Sequence, residues 1–417
     1  MTGVSALRAN RNFRRFWSAH VISTLGSAVS AIAIPLLVLT LGGGVARAGL
    51  IGTCGLVTRL VSQFPAGQLA DRFDRRWLML SADLIRMIFI GSIPVAAGLD
   101  RLVFGQLLLV AMVEGVASAV FSAAAGIAVR DVVADEELTS ALGSSQAASS
   151  SGMLIGPVIG GFLFGIDRNL PFTVDAVSYL ISAVLLLGIT VTPPERGPRG
   201  GSDRRMTAGL RWLASQPQLL WVLGFAAMIN IAGSGVEVGV VITLRDQGES
   251  SSAIGIVMAC LGAGAVLGAV LAARLITWLA TGRLFLLTGT VWAVGFGVLA
   301  TRPAVAVVGA ALLALLVFTP AGVIKLEREV VVQCPREILG RVNMAVSTGL
   351  LGLASLGPLL ISFAIDHFGV SDAWLILAAL TLLAVVLAAR PLLRSSSLGV
   401  DPGSLRAGSA PVRAGVA

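Results

Sequence analysis

Apolar residues in this sequence fall in blocks of roughly 20, each long enough to cross the hydrocarbon core of a bilayer as a helix, with short polar turns between them. The blocks predict spans near 16–41, 46–69, 77–98, 102–127, 141–165 and 171–192, then near 219–243, 252–276, 283–300, 304–324, 340–365 and 371–393. The expected fold is an all-α integral membrane protein with twelve transmembrane helices. A polar stretch rich in Pro, Gly and Arg near Pro193–Arg205 separates the two sets of six; its second part, Thr207 to Gln218, suits a short amphipathic helix on the membrane surface. The expected organisation is therefore a first six-helix half (1–192), a linker (193–218), a second half (219–393) and a Ser/Gly/Pro-rich disordered tail (394–417). Arg8 to Arg15 followed by an apolar run resembles a signal peptide, but the run from Phe16 to Leu41 is too long and contains Pro35, so it reads as a retained first helix.

The halves are related to each other. Gly67 opens a short motif after the second block and Gly268 sits in the corresponding place after the eighth, a separation of 268 − 67 = 201. Gly156-Pro157 in the fifth block is matched by Gly357-Pro358 in the eleventh, and 357 − 156 = 201 again. Two landmarks with one offset predict two pseudo-repeated six-helix halves, and a site between such halves at mid-membrane is the plan of an alternating-access transporter.

Composition agrees and narrows the reading. Apolar residues make up 56% and charged residues 12% of the 417 positions, about half the charged share of a soluble chain. The net charge of +8 is unevenly placed. Basic residues cluster before the first span (Arg8, Arg11, Arg14, Arg15), at Arg72/Arg75/Arg76, in the linker (Arg196, Arg199, Arg204, Arg205, Arg211), around Lys325 and Arg328, and in the tail; the intervening loops hold isolated ones. That alternation predicts a multi-pass protein of the plasma or inner membrane with both termini cytoplasmic. No basic face is interleaved with aromatics, which argues against nucleic acid as a partner. Cys54, Cys260 and Cys334 lack metal or redox spacing, His20 and His367 share no helix face, and no Gly-rich phosphate loop is present, so neither a metal nor a cofactor is expected. No Ser/His/Asp or paired-His constellation lies within the spans, so the chain does not read as an enzyme. The expected partners are a small-molecule substrate, protons and membrane lipids, with the chain a monomer.

Two motifs are specific. Gly67-Gln68-Leu69-Ala70-Asp71-Arg72-Phe73-Asp74-Arg75-Arg76 joins the second and third spans. Gly67 suits close helix approach, Asp71 suits a neighbouring helix N-terminus, and the arginines suit carboxylates or lipid phosphates. Gly143, Gly152, Gly156-Pro157 and Gly160-Gly161 lie along the fifth span, where glycines four apart let helix backbones pack closely and proline permits a bend. The first motif resembles the cytoplasmic loop signature of the major facilitator superfamily, G-x-L-A-D-R-x-G-R-[RK], with Asp74 replacing the second glycine. The second matches every position of that family's antiporter motif, G-x8-G-x3-G-P-x2-G-G. The resemblance implies the major facilitator fold, a latch at Gly67, Asp71, Arg72, Arg75 and Arg76 made in one conformation and broken in the other, and export rather than import. The second-half copy has Ala272 where Asp71 aligns, so one latch should dominate. A looser resemblance to the branch of enterobactin and macrolide exporters rests on Asn12–Trp17, Asp175–Leu180, Gly209–Leu213 and Gly340–Val342; it implies proton antiport of siderophores or hydrophobic drugs.

An ionisable side chain at mid-bilayer is costly and therefore a functional candidate. Glu114, near the middle of the fourth span, and Arg59, near the middle of the second, are expected at similar depth, where they either pair structurally or form a proton-coupling site. Ser118 and Phe121 follow Glu114 on one helix face and are expected in a substrate cavity, as are Asn230 and Ser234 on the seventh span. Glu237, next on that face, is either a third coupling candidate or a solvated carboxylate near the outer end. Asp83 and Arg86 read as a local pair, and His20 as a hydrogen-bonded bystander. Ser27 takes the position where many relatives carry an acidic residue, and Trp17, Trp77, Trp221 and Trp374 read as interface anchors. The reading is a secondary active transporter, a proton-coupled antiporter exporting hydrophobic or amphipathic small molecules. The alternatives are a facilitator or importer of a small metabolite, and a membrane sensor or scaffold that does not transport.

Overall fold

The computed structural model describes residues 10–42, 44–133, 137–190, 211–334 and 339–395. Its long elements are all helices, as a bilayer demands of a chain whose backbone groups must find partners within their own segment. The first half holds α1 (Arg11–Thr40), α2 (Gly44–Arg72), α3 (Arg75–Gly98), α4 (Phe104–Val132), α5 (Leu138–Ile166) and α6 (Leu170–Leu187). The second holds α7 (Pro217–Asp246), α8 (Ser251–Trp278), α9 (Thr281–Ala300), α10 (Val305–Val317), α11 (Thr319–Gln333), α12 (Leu339–Ala354), α13 (Gly357–Phe368) and α14 (Val370–Ser395). Eleven segments among the described residues are long and apolar enough to cross a membrane. α5 makes the twelfth, although only Leu154–Ile166 is strongly apolar because its first half is a run of Ser, Ala and Gly.

Two spans of the second half are broken. α10 and α11 share the span Val305–Val330, and α12 and α13 share Ala345–Phe368. Each break precedes a proline in the first turn of the next helix, Pro320 and Pro358, where the missing N–H costs nothing. α5 runs unbroken through Pro157, so the repeat keeps the sequence landmark but not the bend. Of the linker, residues 211–214 are helical with Leu213 buried; 191–210 and the tail beyond Ser395 lie outside the described residues.

Small residues decide how the halves meet. α5 packs on α8 and α2 packs on α13, so each half contributes one helix of each pair. A Cβ on Gly161 would lie 2.8 Å from the Gly255 Cα of α8, and one on Gly49 would collide with Pro358 and Ser362 of α13. Thr53 of α2 accepts the Leu359 N–H at 3.1 Å, which satisfies a donor left free in the first turn of α13. These contacts all lie toward the end of the molecule that carries the α1–α2 and α5–α6 turns, opposite the Gly67–Arg76 loop. Inside each half the pattern repeats: Gly156 meets Ala28 of α1, and Gly357 meets Ile231 and Ser234 of α7.

The loop end of the first half is fastened by polar contacts. Arg15 donates to the Gly188 carbonyl and Arg76 to the Leu187 carbonyl, so two cations sit at the C-terminal end of α6. Arg75 pairs with Asp131 at 2.6 Å, joining the start of α3 to the end of α4.

Candidate functional site

A cavity of about 480 Å³ lies between the halves. All six helices of the first half, α1 to α6, supply one wall and α7, α8 and α13 the other. The wall is mostly apolar, with Pro35, Pro157, Met258, Leu261 and Pro358 on it. Its charged groups are Arg59, Glu114, Asp175 and Glu237; Ser27, Ser30, Ser118 and Ser234 add hydroxyls. Such a mixture suits a ligand with large apolar surface and few polar groups.

The first half carries a polar network behind this wall. The Ser27 and Tyr179 hydroxyls lie 2.8 Å apart, and the Tyr179 hydroxyl reaches Glu114 Oε1 at 3.5 Å. Asp175 lies one turn before Tyr179 on α6 and is fully buried; its backbone carbonyl accepts from Ser178 at 2.7 Å. Gly26 makes room for this cluster, because a Cβ there would lie 2.6 Å from Asp175 Oδ1. Glu114 Oε2 and Asp175 Oδ2 have no hydrogen-bond partner of normal geometry among the described residues. Deeper still, Arg86 bonds Asp83 at 2.6 Å, and Ser182 and Ser23 donate to the same carboxylate at 2.6 and 3.4 Å. The Arg86 guanidinium lies over the Phe121 and Tyr179 rings, 4.7 and 4.6 Å from their centroids. It is therefore held by one carboxylate and two aromatic faces.

The expected residues divide accordingly. Arg59 and Glu114 share the cavity because Gly55 and Gly115 let α2 and α4 cross closely, yet they form no ion pair. The buried pair of this region is Asp83–Arg86. Ser118 lines the cavity; Phe121 turns away, packing between Arg86 and His20, whose ring it stacks on at 6.2 Å. Ser234 and Glu237 line the cavity, with the Glu237 side chain open to it between the halves, not at the outer end of α7. Asn230 faces a different pocket inside the second half. Asp175 and Tyr179 are site residues that the sequence reading misses. Their signal is a carboxylate and a phenol four apart on one face of an apolar helix. Trp374 is fully buried, donating to Thr243 Oγ1 at 2.9 Å, so it is a core residue and not an interface anchor; Trp77 and Trp221 are exposed at span ends.

The family model described as "Major Facilitator Superfamily" matches residues 16–324. The chain belongs to the major facilitator superfamily. It is thus a multi-pass membrane transporter and not an enzyme. It is 26% identical over 372 residues to the enterobactin exporter EntS of Escherichia coli O127:H6, covering 86% of this chain and 88% of that protein. It is also 29% identical over 163 residues to multidrug resistance protein 1 of Bacillus subtilis, a match spanning only 40% of that protein. Two solved structures share the fold. One is a bacterial homologue of the lysosomal transporter Spinster (TM-score 0.72, 16% identity, 92% of this chain and 96% of that one). The other is the nucleoside transporter NupG (TM-score 0.71, 12% identity, 90% and 98%).

The superfamily's two motifs have definite surroundings here. Asp74 caps α3, accepting the Arg76 N–H at 2.8 Å with φ −60°, so no glycine is needed at that turn. Asp71 and Arg72 are exposed, and neither makes an ion pair among the described residues. A Cβ on Gly67 would meet no atom within 4 Å, so the close approach expected of it is absent in this conformation. Along α5, Gly152, Gly156 and Gly160 face α1 at Thr24, Ala28 and Val29, whereas Gly161 faces α8. The packing of Gly143 lies outside the described residues.

Proposed function

We propose that this transporter is a proton-coupled antiporter that exports hydrophobic or amphipathic small molecules by alternating access. The observation that carries the reading is the Glu114–Tyr179–Ser27 cluster, in which Glu114 and Ser27 line the cavity beside Asp175 and Tyr179 joins them from behind. Glu114 Oε2 accepts no hydrogen bond among the described residues, so a carboxylate that lines the cavity keeps a position for a proton. In this reading Glu114 takes up and releases the coupling proton, while the Tyr179 hydroxyl donates to its other oxygen and Ser27 holds that hydroxyl. Arg59, on the same wall, supplies a positive charge to balance the carboxylate once the proton has left. Substrate and proton then compete for one cavity, which is the minimum that antiport needs.

Export is supported by the α5 glycines. They let one helix touch α1 within its own half and α8 across the interface, so a rocking movement passes directly through the cavity wall. The two curated relatives named above, an enterobactin exporter and a multidrug resistance protein, support the same direction. With the Gly67–Arg76 loop cytoplasmic, as the basic clusters favour, both termini are cytoplasmic and the halves close on the outer side, an inward-open arrangement.

The test is accumulation of a fluorescent lipophilic dye in cells making the protein, with and without a protonophore. Wild type should lower accumulation only while the proton gradient stands. Glu114→Gln should abolish that difference at equal expression; undiminished efflux by the variant would refute the assignment.

A further inference from the structure

A second pocket, of about 540 Å³, lies wholly inside the second half, bounded by α7, α9, α11 and α12. It sits beside the α10–α11 break, nearer the start of α7 than the central cavity is. Its innermost α7 residue, Asn230, is seven residues from Glu237, about 10 Å along the helix. The walls are apolar and include Phe225 and Phe285, an edge-on ring pair 6.0 Å apart.

The polar groups give the pocket its selectivity. Thr288 spends its hydroxyl proton on the Leu284 carbonyl of its own helix at 2.9 Å, and Thr319 on the Leu315 carbonyl of α10, across the break, at 3.0 Å, so both offer lone pairs to the interior. Asn230 likewise commits an amide N–H to the Ala226 carbonyl at 2.9 Å and keeps its oxygen. Glu327 adds a carboxylate that makes no ion pair among the described residues. Among the described residues no Lys or Arg lines the space; Lys325, two residues away, is turned to the Leu279 carbonyl at 2.6 Å. An acceptor-rich, aromatic-walled pocket with one free carboxylate selects a donor-bearing cation with an aromatic body.

We propose that this pocket is a second ligand site that takes protonated aromatic amines, with Glu327 receiving the ammonium and Phe225 and Phe285 the ring. It is separate from the central cavity and does not depend on the direction or coupling of transport. Compounds arriving from the end where α7 starts meet it before they reach Glu237.

Gly322 supplies a clean probe. A Cβ there meets only Phe285 Cε1, at 4.0 Å, so the Gly322→Leu side chain starts without a clash and extends from the pocket wall. The readout is local: Val323→Cys, in full-length protein with Cys54, Cys260 and Cys334 replaced by Ser, reconstituted in nanodiscs and labelled with a maleimide. Val323 is 49% exposed and lines the pocket, so its thiol should label. 1-Naphthylmethylammonium should slow the labelling, whereas 1-naphthylacetate and 1-naphthylmethanol should not. Glu327→Gln should raise the half-protecting concentration of the amine about tenfold or more, and Gly322→Leu should abolish protection. A Ser118→Cys variant reports the central cavity in the same assay, so loss of one site is distinguished from loss of the other. Absence of amine protection at position 323 would overturn the proposal. So would equal protection by all three compounds, or protection unchanged by Glu327→Gln and Gly322→Leu.

Discussion

Arg86 and Asp83 show how a charge survives inside this bundle. Both are buried, 3 residues apart on α3, and every oxygen of the carboxylate has a donor. Removing one partner strands the other, which typically costs about 3–5 kcal/mol, whereas replacing both is far milder. Asp83→Asn should therefore lower the melting temperature in detergent markedly, and adding Arg86→Met should restore much of it; a double variant as unstable as the sum of the two singles would contradict this. The i, i+3 spacing made that pair legible in the sequence. Arg59 and Glu114 were legible as membrane charges sharing one depth, but not the gap between them, because hydropathy describes one helix at a time and side-chain reach depends on how two helices cross. Asp175 and Tyr179 escape notice for the same reason: three helices have to assemble before Ser27, Glu114 and the α6 pair become neighbours.

Glycines govern the elements, and their surroundings predict opposite outcomes for two of them. A side chain on Gly156 would overlap Ala28, with the Ala28 carbonyl carbon 3.0 Å from the new Cβ, so Gly156→Val should push α5 off α1 and reduce both folded yield and transport. Gly67 has open space around it, so Gly67→Val should leave thermal stability in this conformation nearly unchanged. If the loop closes as a latch in the other conformation, the same substitution should still cut the transport rate; wild-type turnover by Gly67→Val would show that no close approach is made there. The α5 motif was fully legible as a spacing, yet its division of labour, three glycines toward α1 and Gly161 toward α8, was not. Likewise the face carrying Asn230, Ser234 and Glu237 reads in the sequence as one surface, yet it is divided between two pockets, with the break before α13 packed on it at Ser234.

At the scale of the whole molecule the 201-residue repeat foretold two halves, and the structure adds where they touch: α5 on α8 and α2 on α13, closed at one end. Alternating access requires that this end open. A Cβ on Gly165 would lie 3.1 Å from Ser252 Oγ, so Gly165→Cys with Ser252→Cys should form a disulfide between the halves. In a background with Cys54, Cys260 and Cys334 replaced, oxidation should stop transport and reduction should restore it; full activity while cross-linked would exclude opening at that end. The central claim, however, is that protons move against substrate through Glu114. It is tested most directly in proteoliposomes with a pH-sensitive dye inside, by adding a transported compound and following the lumenal pH. Wild type should show substrate-triggered proton counterflow that Glu114→Gln lacks although the compound still binds. Counterflow of equal size in the variant, or substrate movement without any change in pH in wild type, would contradict the account.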